Sequence, residues 1–164
     1  GTVLKHSPGY GNAADTHTGV VYDDRDLAAF EGGAFLPFKA GIDAGADCVL
    51  VTHNIVPCVD GEAPASLSAA WHAVLRDTLG FAGVIITDDL SMGGVTDYTD
   101  GASSVVAAVL AGNDMLCCTD FETQIPAVLR AVEDGTISEA RIDESVLRIL
   151  RWKLERGIIA ARTE

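Results

Sequence analysis

The chain has 164 residues, 48% of them hydrophobic, with 17 glycines and a formal net charge of −13 from 24 acidic against 11 basic side chains. That length and composition suit one globular domain able to bury a core, while the charge argues against binding to nucleic-acid phosphates or anionic lipid. No apolar run reaches the roughly 18 to 20 residues a membrane-spanning helix needs, so neither nucleic acid nor a membrane is an expected partner. The four cysteines (Cys48, Cys58, Cys117 and Cys118) make no CxxC pair. They read as reduced core residues, and the expected location is cytoplasmic. The first residue is Gly1 rather than Met and a strand begins at once, which leaves room for an upstream segment and any signal peptide in it.

Thr2-Val3-Leu4 reads as a short strand ending in Lys5 and His6. Pro8-Gly9 and Gly11-Asn12 then force an irregular loop that carries Asp15 and His17. Helices are predicted over 26–31 and 35–44, the second with Phe35, Phe38 and Ile42 at helical spacing, Pro37 tolerated in its first turn and Gly45 as its stop. Cys48 to Val51 is a second strand, followed by polar Thr52, His53 and Asn54. A helix over 66–79 stripes Leu67, Trp71, Val74, Leu75 and Leu79 along one side and stops at Gly80. Val84-Ile85-Ile86, opened by Gly83, has the β-branched character of a strand buried on both faces and runs into Asp88 and Asp89. An Ala/Val helix over 102–111 follows, then a Gly112-Asn113 turn and a strand over 115–118 ending at Thr119-Asp120. A helix over 121–133 places Ile125, Val128, Leu129 and Val132 on one face, and a last helix over 143–156 turns Val146, Ile149, Leu150 and Leu154 inward.

The pattern is β-loop-α four times over, with polar residues after each strand and none within one. It predicts an α/β fold of four parallel strands joined by right-handed crossovers. Both a small open sheet and half of a (β/α)8 TIM barrel, whose usual size is about 250 residues, fit that pattern; the half barrel also explains a chain that opens inside a strand. In either, ligands bind at the C-terminal strand ends, so a carboxylate such as Asp88 there is a candidate functional group. The plainer reading is capping of the next turn, a role open to Asp89 or Ser91. Asp120 likewise fits as a helix cap, with Thr123 as competitor, Met92 as a packing residue and His72 as a structural or surface one. His53 stays open between facing the site and being a satisfied polar residue.

Three stretches in register, Lys5-His6-Ser7-Pro8-Gly9-Tyr10-Gly11, Asp15-Thr16-His17 and Thr87-Asp88-Asp89-Leu90-Ser91-Met92, resemble the family 3 glycoside hydrolases, and among them the β-N-acetylhexosaminidases of the bacterial cell-wall-recycling type. The resemblance runs from Thr2 to about Ile159 and includes Leu36 to Asp47 and Pro64 to Ser68. It implies a retaining hydrolase, with this chain as the C-terminal half of a (β/α)8 catalytic barrel and residues 1–164 one partial domain. It further implies Asp88 as nucleophile, His17 with Asp15 as acid/base dyad, and Lys5 and His6, joined by His53, as contacts to a carbohydrate substrate removed as terminal N-acetylhexosamine from glycosides such as peptidoglycan fragments. No cofactor is called for.

The chemistry is consistent with those identities. A retaining glycosidase needs a carboxylate to attack the anomeric carbon and a proton donor for the leaving oxygen that later serves as base to water. Histidine can be that donor because it titrates near neutral pH, and a neighbouring carboxylate fixes its tautomer and favours its charged form. The loop departs from the commoner KHFPGHG: Ser7 replaces the aromatic residue, Tyr10 a histidine and Asn12 an acidic residue, and Ser7 is expected to loosen Lys5 and His6 by removing packing area. The family's acidic and arginine residues that precede Lys5 have no counterpart, so the sugar pocket is expected to be open on one side, with an exposed sheet edge that invites pairing into a homodimer. Two other readings stay in play: a metal-dependent hydrolase using His6, Asp15, His17, His53 and Asp88, and an inert half barrel.

Overall fold

Each apolar run is too short to be stable alone, and the chain satisfies their backbones by pairing them side by side. The computed structural model describes residues 1–160. Its strands are β1 (Val3–Ser7), β2 (Val21–Tyr22), β3 (Cys48–Val51), β4 (Asn54–Val56), β5 (Asp60–Pro64), β6 (Val84–Asp89) and β7 (Met115–Cys117). The main sheet has the order β1-β3-β6-β7 with every neighbouring pair parallel, as the strand-helix alternation requires. A smaller sheet, β2-β4-β5, caps the C-terminal side of β3. It was not anticipated, because two of its strands have only two or three residues and β5 carries Gly61 and Pro64.

Three expected helix boundaries move. Asp26 caps Leu27–Ala29 by accepting from the Ala29 amide, and the helix continues through a wide turn, Phe30–Ala34, into Phe35–Asp43. Gly32-Gly33 does not interrupt it, since Phe30 and Phe35 on either side are both anchored in the core against Trp71. The helix expected from 66 begins at Ala69, because the Ser68 hydroxyl accepts from the Trp71 amide and the preceding Ala65–Leu67 forms a tight 3-10 turn. The last helix spans Glu139–Glu155 and starts four residues earlier than expected, behind its Ser138 cap.

One face of the sheet is covered by these helices. Val49, Val51 and Ile85 pack there with Phe38, Trp71 and Leu75, and burial of each such side chain stabilises the fold by about 1.5–3 kcal/mol. The last helix is tied across the N-terminal strand ends by ion pairs. Asp114, whose side chain is fully buried, accepts from Arg76 Nη2 at 2.7 Å and the Ile85 amide at 3.0 Å on one oxygen, and from Arg148 Nη1 at 2.9 Å and Ser145 Oγ at 2.8 Å on the other. Arg156 Nη2 reaches Asp47 at 2.5 Å. This end of the sheet is therefore structural, and it lies opposite the end that carries Asp88.

Three expectations about burial are corrected. Val146, Leu150 and Leu154 were assigned inward yet are 44%, 43% and 46% exposed, and Ile125 and Leu129 are also exposed. Their spacing marks an apolar face without saying what covers it. Of the four cysteines only Cys48 is a core residue; Cys58 and Cys117 are exposed and all four are free thiols. Ser7 does not leave its surroundings loose: it is 2% exposed, its hydroxyl accepts from Trp71 Nε1 at 3.2 Å and its carbonyl from the Thr52 amide at 2.8 Å. Among the described residues no helix is long and apolar enough to cross a membrane.

Candidate active site

Both chemistry-bearing strands are irregular where their polar residues sit. Leu4 pairs with Val49 and Ser7 with Val51, so β1 carries one residue more than β3 across Lys5 and His6. Ile86 pairs with Met115 and Asp89 with Cys117, so β6 carries one more than β7 across Thr87 and Asp88. Such bulges re-aim side chains at the ends of strands. Ser7, Val51 and Thr87 form one row across the sheet, which brings Lys5, His6 and Asp88 to the same edge. Lys5 is exposed and has no hydrogen-bond or ion-pair partner among the described residues, and the His6 ring meets Tyr10 edge-on at 5.8 Å.

Asp88 and Asp89 differ in their engagements. Asp89 Oδ1 accepts from the Ser91 amide at 2.8 Å and its hydroxyl at 2.7 Å, while Oδ2 takes the Thr119 hydroxyl. Burial opposes the charge of Asp89, but these bonds outweigh it and hold the group below the usual carboxylate range. Asp89 is thus the turn-forming partner. Among the described residues Asp88 accepts only from the Asp89 amide, at 2.9 Å on Oδ1, which leaves Oδ2 available to a ligand.

Asp15 and His17 meet directly. Asp15 Oδ1 accepts from the His17 amide at 3.0 Å and lies 2.6 Å from Nδ1, with both side chains about two thirds exposed. The carboxylate bond, and then the carboxylate charge, raises the histidine above its ordinary 6.5, with the Asp88 charge adding in the same direction. Asp15 is lowered in turn, first by the His17 amide. Since Nδ1 faces Asp15, Nε2 is the nitrogen left for a substrate. The loop docks onto the turn that follows Asp88: the Gly93 amide donates to the His17 carbonyl at 3.3 Å and the Gly94 amide to the Thr16 carbonyl at 2.8 Å. A Cβ on Gly93 would lie 2.7 Å from the Gly19 nitrogen, and one on Gly94 would lie 3.0 Å from His53 Cβ. Only glycines allow so close an approach.

His53 takes a different place from the one assigned to it. It is fully buried, with Nε2 3.0 Å from the Asp89 carbonyl and Nδ1 2.7 Å from Ser66 Oγ. A carbonyl only accepts, so Nε2 carries the proton and Nδ1 accepts from the serine. Burial depresses its basicity against the pull of Asp88 and Asp89. With both nitrogens occupied, His53 supports the end of β6 and has none to offer a sugar. Among the described residues no three His, Cys, Asp or Glu side chains gather to hold an ion. His72 is buried with Nδ1 2.8 Å from the Ser68 carbonyl, a structural placement, and Asp120 makes no side-chain cap. Thr16, Ser66, Gly93 and Gly94 were not singled out from the sequence. The adjacent glycines immediately after Ser91-Met92 are the one signal that could have marked the docking point.

Residues 1–152 match the model of the glycosyl hydrolase family 3 N-terminal domain. The chain belongs to glycosyl hydrolase family 3. Within that family it is 42% identical over 115 residues to a beta-hexosaminidase of Xylella fastidiosa, covering 69% of this chain and 34% of the relative. It is 37% identical over 145 residues to one of Hydrogenovibrio crunogenus, covering 86% and 40%. The chain therefore spans well under half the length of these curated relatives. Among solved structures, a family 3 beta-N-acetylglucosaminidase from Paenibacillus sp. str. FPU-7 superposes with a TM-score of 0.91 at 34% identity, over 99% of this chain and 32% of that one. The four-stranded parallel sheet with its alternating helices is thus the family 3 N-terminal architecture.

Proposed function

We propose that this family 3 domain releases terminal β-linked N-acetylhexosamine from glycosides, cell-wall glycan fragments among them, by a retaining double displacement. The observation that carries the reading is the 2.6 Å Asp15 to His17 contact on a loop docked directly behind Asp88. The names of the relatives favour the N-acetylated sugar.

In the first step Asp88 Oδ2 attacks the anomeric carbon, the bond to the leaving oxygen breaks, and the imidazolium of His17 gives its Nε2 proton to that oxygen. Asp15 stabilises the imidazolium beforehand and keeps Nδ1 protonated afterwards. In the second step neutral His17 takes a proton from water through Nε2, the water oxygen attacks the anomeric carbon, and the Asp88 carboxylate departs. Lys5 and His6, at the same sheet edge, donate to sugar hydroxyls. Hydrolysis of a chromogenic β-N-acetylglucosaminide tests the reading. Turnover that is abolished by Asp88→Ala and indifferent to a chelator supports it; turnover unaffected by Asp88→Ala, or none by the parent protein, refutes it.

A further inference from the structure

The acid/base pair is held in place by the residue between its members. Asp15 to Thr18 form a turn, closed by the Thr18 amide donating to the Asp15 carbonyl at 3.3 Å, and in it Asp15 and His17 are exposed while Thr16 is fully buried. The Thr16 hydroxyl lies 2.7 Å from Tyr10 OH and 3.3 Å from Thr52 Oγ1, and Tyr10 OH lies 3.0 Å from Thr52 Oγ1. Three hydroxyls, from the loop after β1, from the dyad segment and from the end of β3, thus close into one triangle. Its base is rigid. The Thr52 amide donates to the Ser7 carbonyl at 2.8 Å, its carbonyl accepts from the Ser66 amide at 3.2 Å, and its side chain is fully buried.

We propose that Tyr10 and Thr52 clamp Thr16 and so act as positioning residues for the proton-transferring pair Asp15 and His17. The inference rests on the reading of His17 as acid/base. Without the clamp, the remaining hydrogen-bonded ties of the dyad segment to other elements among the described residues are the two backbone bonds from Gly93 and Gly94, and Gly11 and Gly19, with φ of 53° and 156°, lie on either side of it. Loss of the Tyr10 hydroxyl frees Thr16 to rotate, and Asp15 and His17, on either side of it, separate.

The test is an NMR titration of His17 in the parent, in Tyr10→Phe and in Thr52→Val, with kcat and KM for an N-acetylglucosaminide measured on the same samples. The charged and titrating groups that face His17 are Asp15, Asp88 and His53, and all are retained. Each variant is expected to bring the His17 pKa down toward 6.5 and to lower kcat about 10-fold with KM within about twofold; Thr52→Ser, which keeps the hydroxyl, is expected to rescue both. A His17 titration that does not move in either variant overturns the proposal, as does a loss expressed only in KM or only in thermal stability. The titration does not need turnover, so a falling pKa in a protein that hydrolyses nothing sustains the clamp and removes only the acid/base reading.

Discussion

Replacing Gly93 with alanine puts one methyl group where the backbone of the loop carrying Asp15 and His17 lies. The new Cβ would be 2.7 Å from the Gly19 nitrogen and 3.0 Å from the His17 carbonyl oxygen, where ordinary contact begins at 3.4 Å. Both neighbours are backbone, so neither can yield by rotating a side chain. The loop must retreat by about 0.7 Å at Gly19 and about 0.4 Å at His17, and the 3.3 Å bond from the Gly93 amide to His17 is lost with it. A misplacement of about 1 Å at a catalytic group can cost on the order of 10²-fold in rate. Gly93→Ala is therefore expected to lower kcat about 30-fold on a glycoside with a poor leaving group and much less on an activated aryl glycoside, which needs little protonation. Gly93 and Gly19 are only half-buried and His17 is exposed, so the thermal midpoint should stay within a few degrees. Steady-state kinetics on the two substrates, beside a thermal melt, decide the matter. Equal turnover by variant and parent on the poor leaving group would refute the docking argument.

Three other perturbations follow from the same structure. Because His17 must be protonated to act as an acid and its pKa is raised, kcat/KM should fall as pH rises through a value above 6.5, and Asp15→Ala should move that limb to lower pH; a pH–rate profile with an unmoved limb would exclude His17 as the group seen. Asp114→Ala leaves Arg76 and Arg148 largely buried without their shared carboxylate, a loss of about 3–5 kcal/mol in denaturant unfolding, with KM little changed because the network lies at the opposite end of the sheet. Ser7→Ala removes the acceptor for the buried Trp71 indole N–H and should cost about 1–3 kcal/mol by the same measurement.

The architecture was legible because its signals are local. Four short apolar runs, each followed by polar residues, can hardly be satisfied except by parallel pairing with intervening helices. Asp15, His17 and Asp88 could be named because their motifs resemble family 3 in register, and Asp88 also because a carboxylate at a strand's C-terminal end is a candidate functional group. What escaped depends on long-range placement. Thr52, His53 and Asn54 follow β3 as solvent-facing residues would, yet all are fully buried, and Asn54 opens β4 of a second sheet whose strands show little apolar alternation. The Val146, Leu150 and Leu154 stripe has the period of a core face, but period says nothing of the surface opposite. The role of Thr16 is invisible in sequence because its partners, Tyr10 and Thr52, are 6 and 36 residues away.

On the proposed mechanism Asp88 becomes covalently bonded to the sugar during turnover. Acid quenching of the protein during hydrolysis of an activated N-acetylglucosaminide that makes the second step slow, followed by peptide mass spectrometry, tests it most directly. The account expects an N-acetylhexosaminyl adduct on Asp88 within the β6 peptide and none in Asp88→Asn. Continued turnover with no adduct, or an adduct on Asp89 instead, would contradict it.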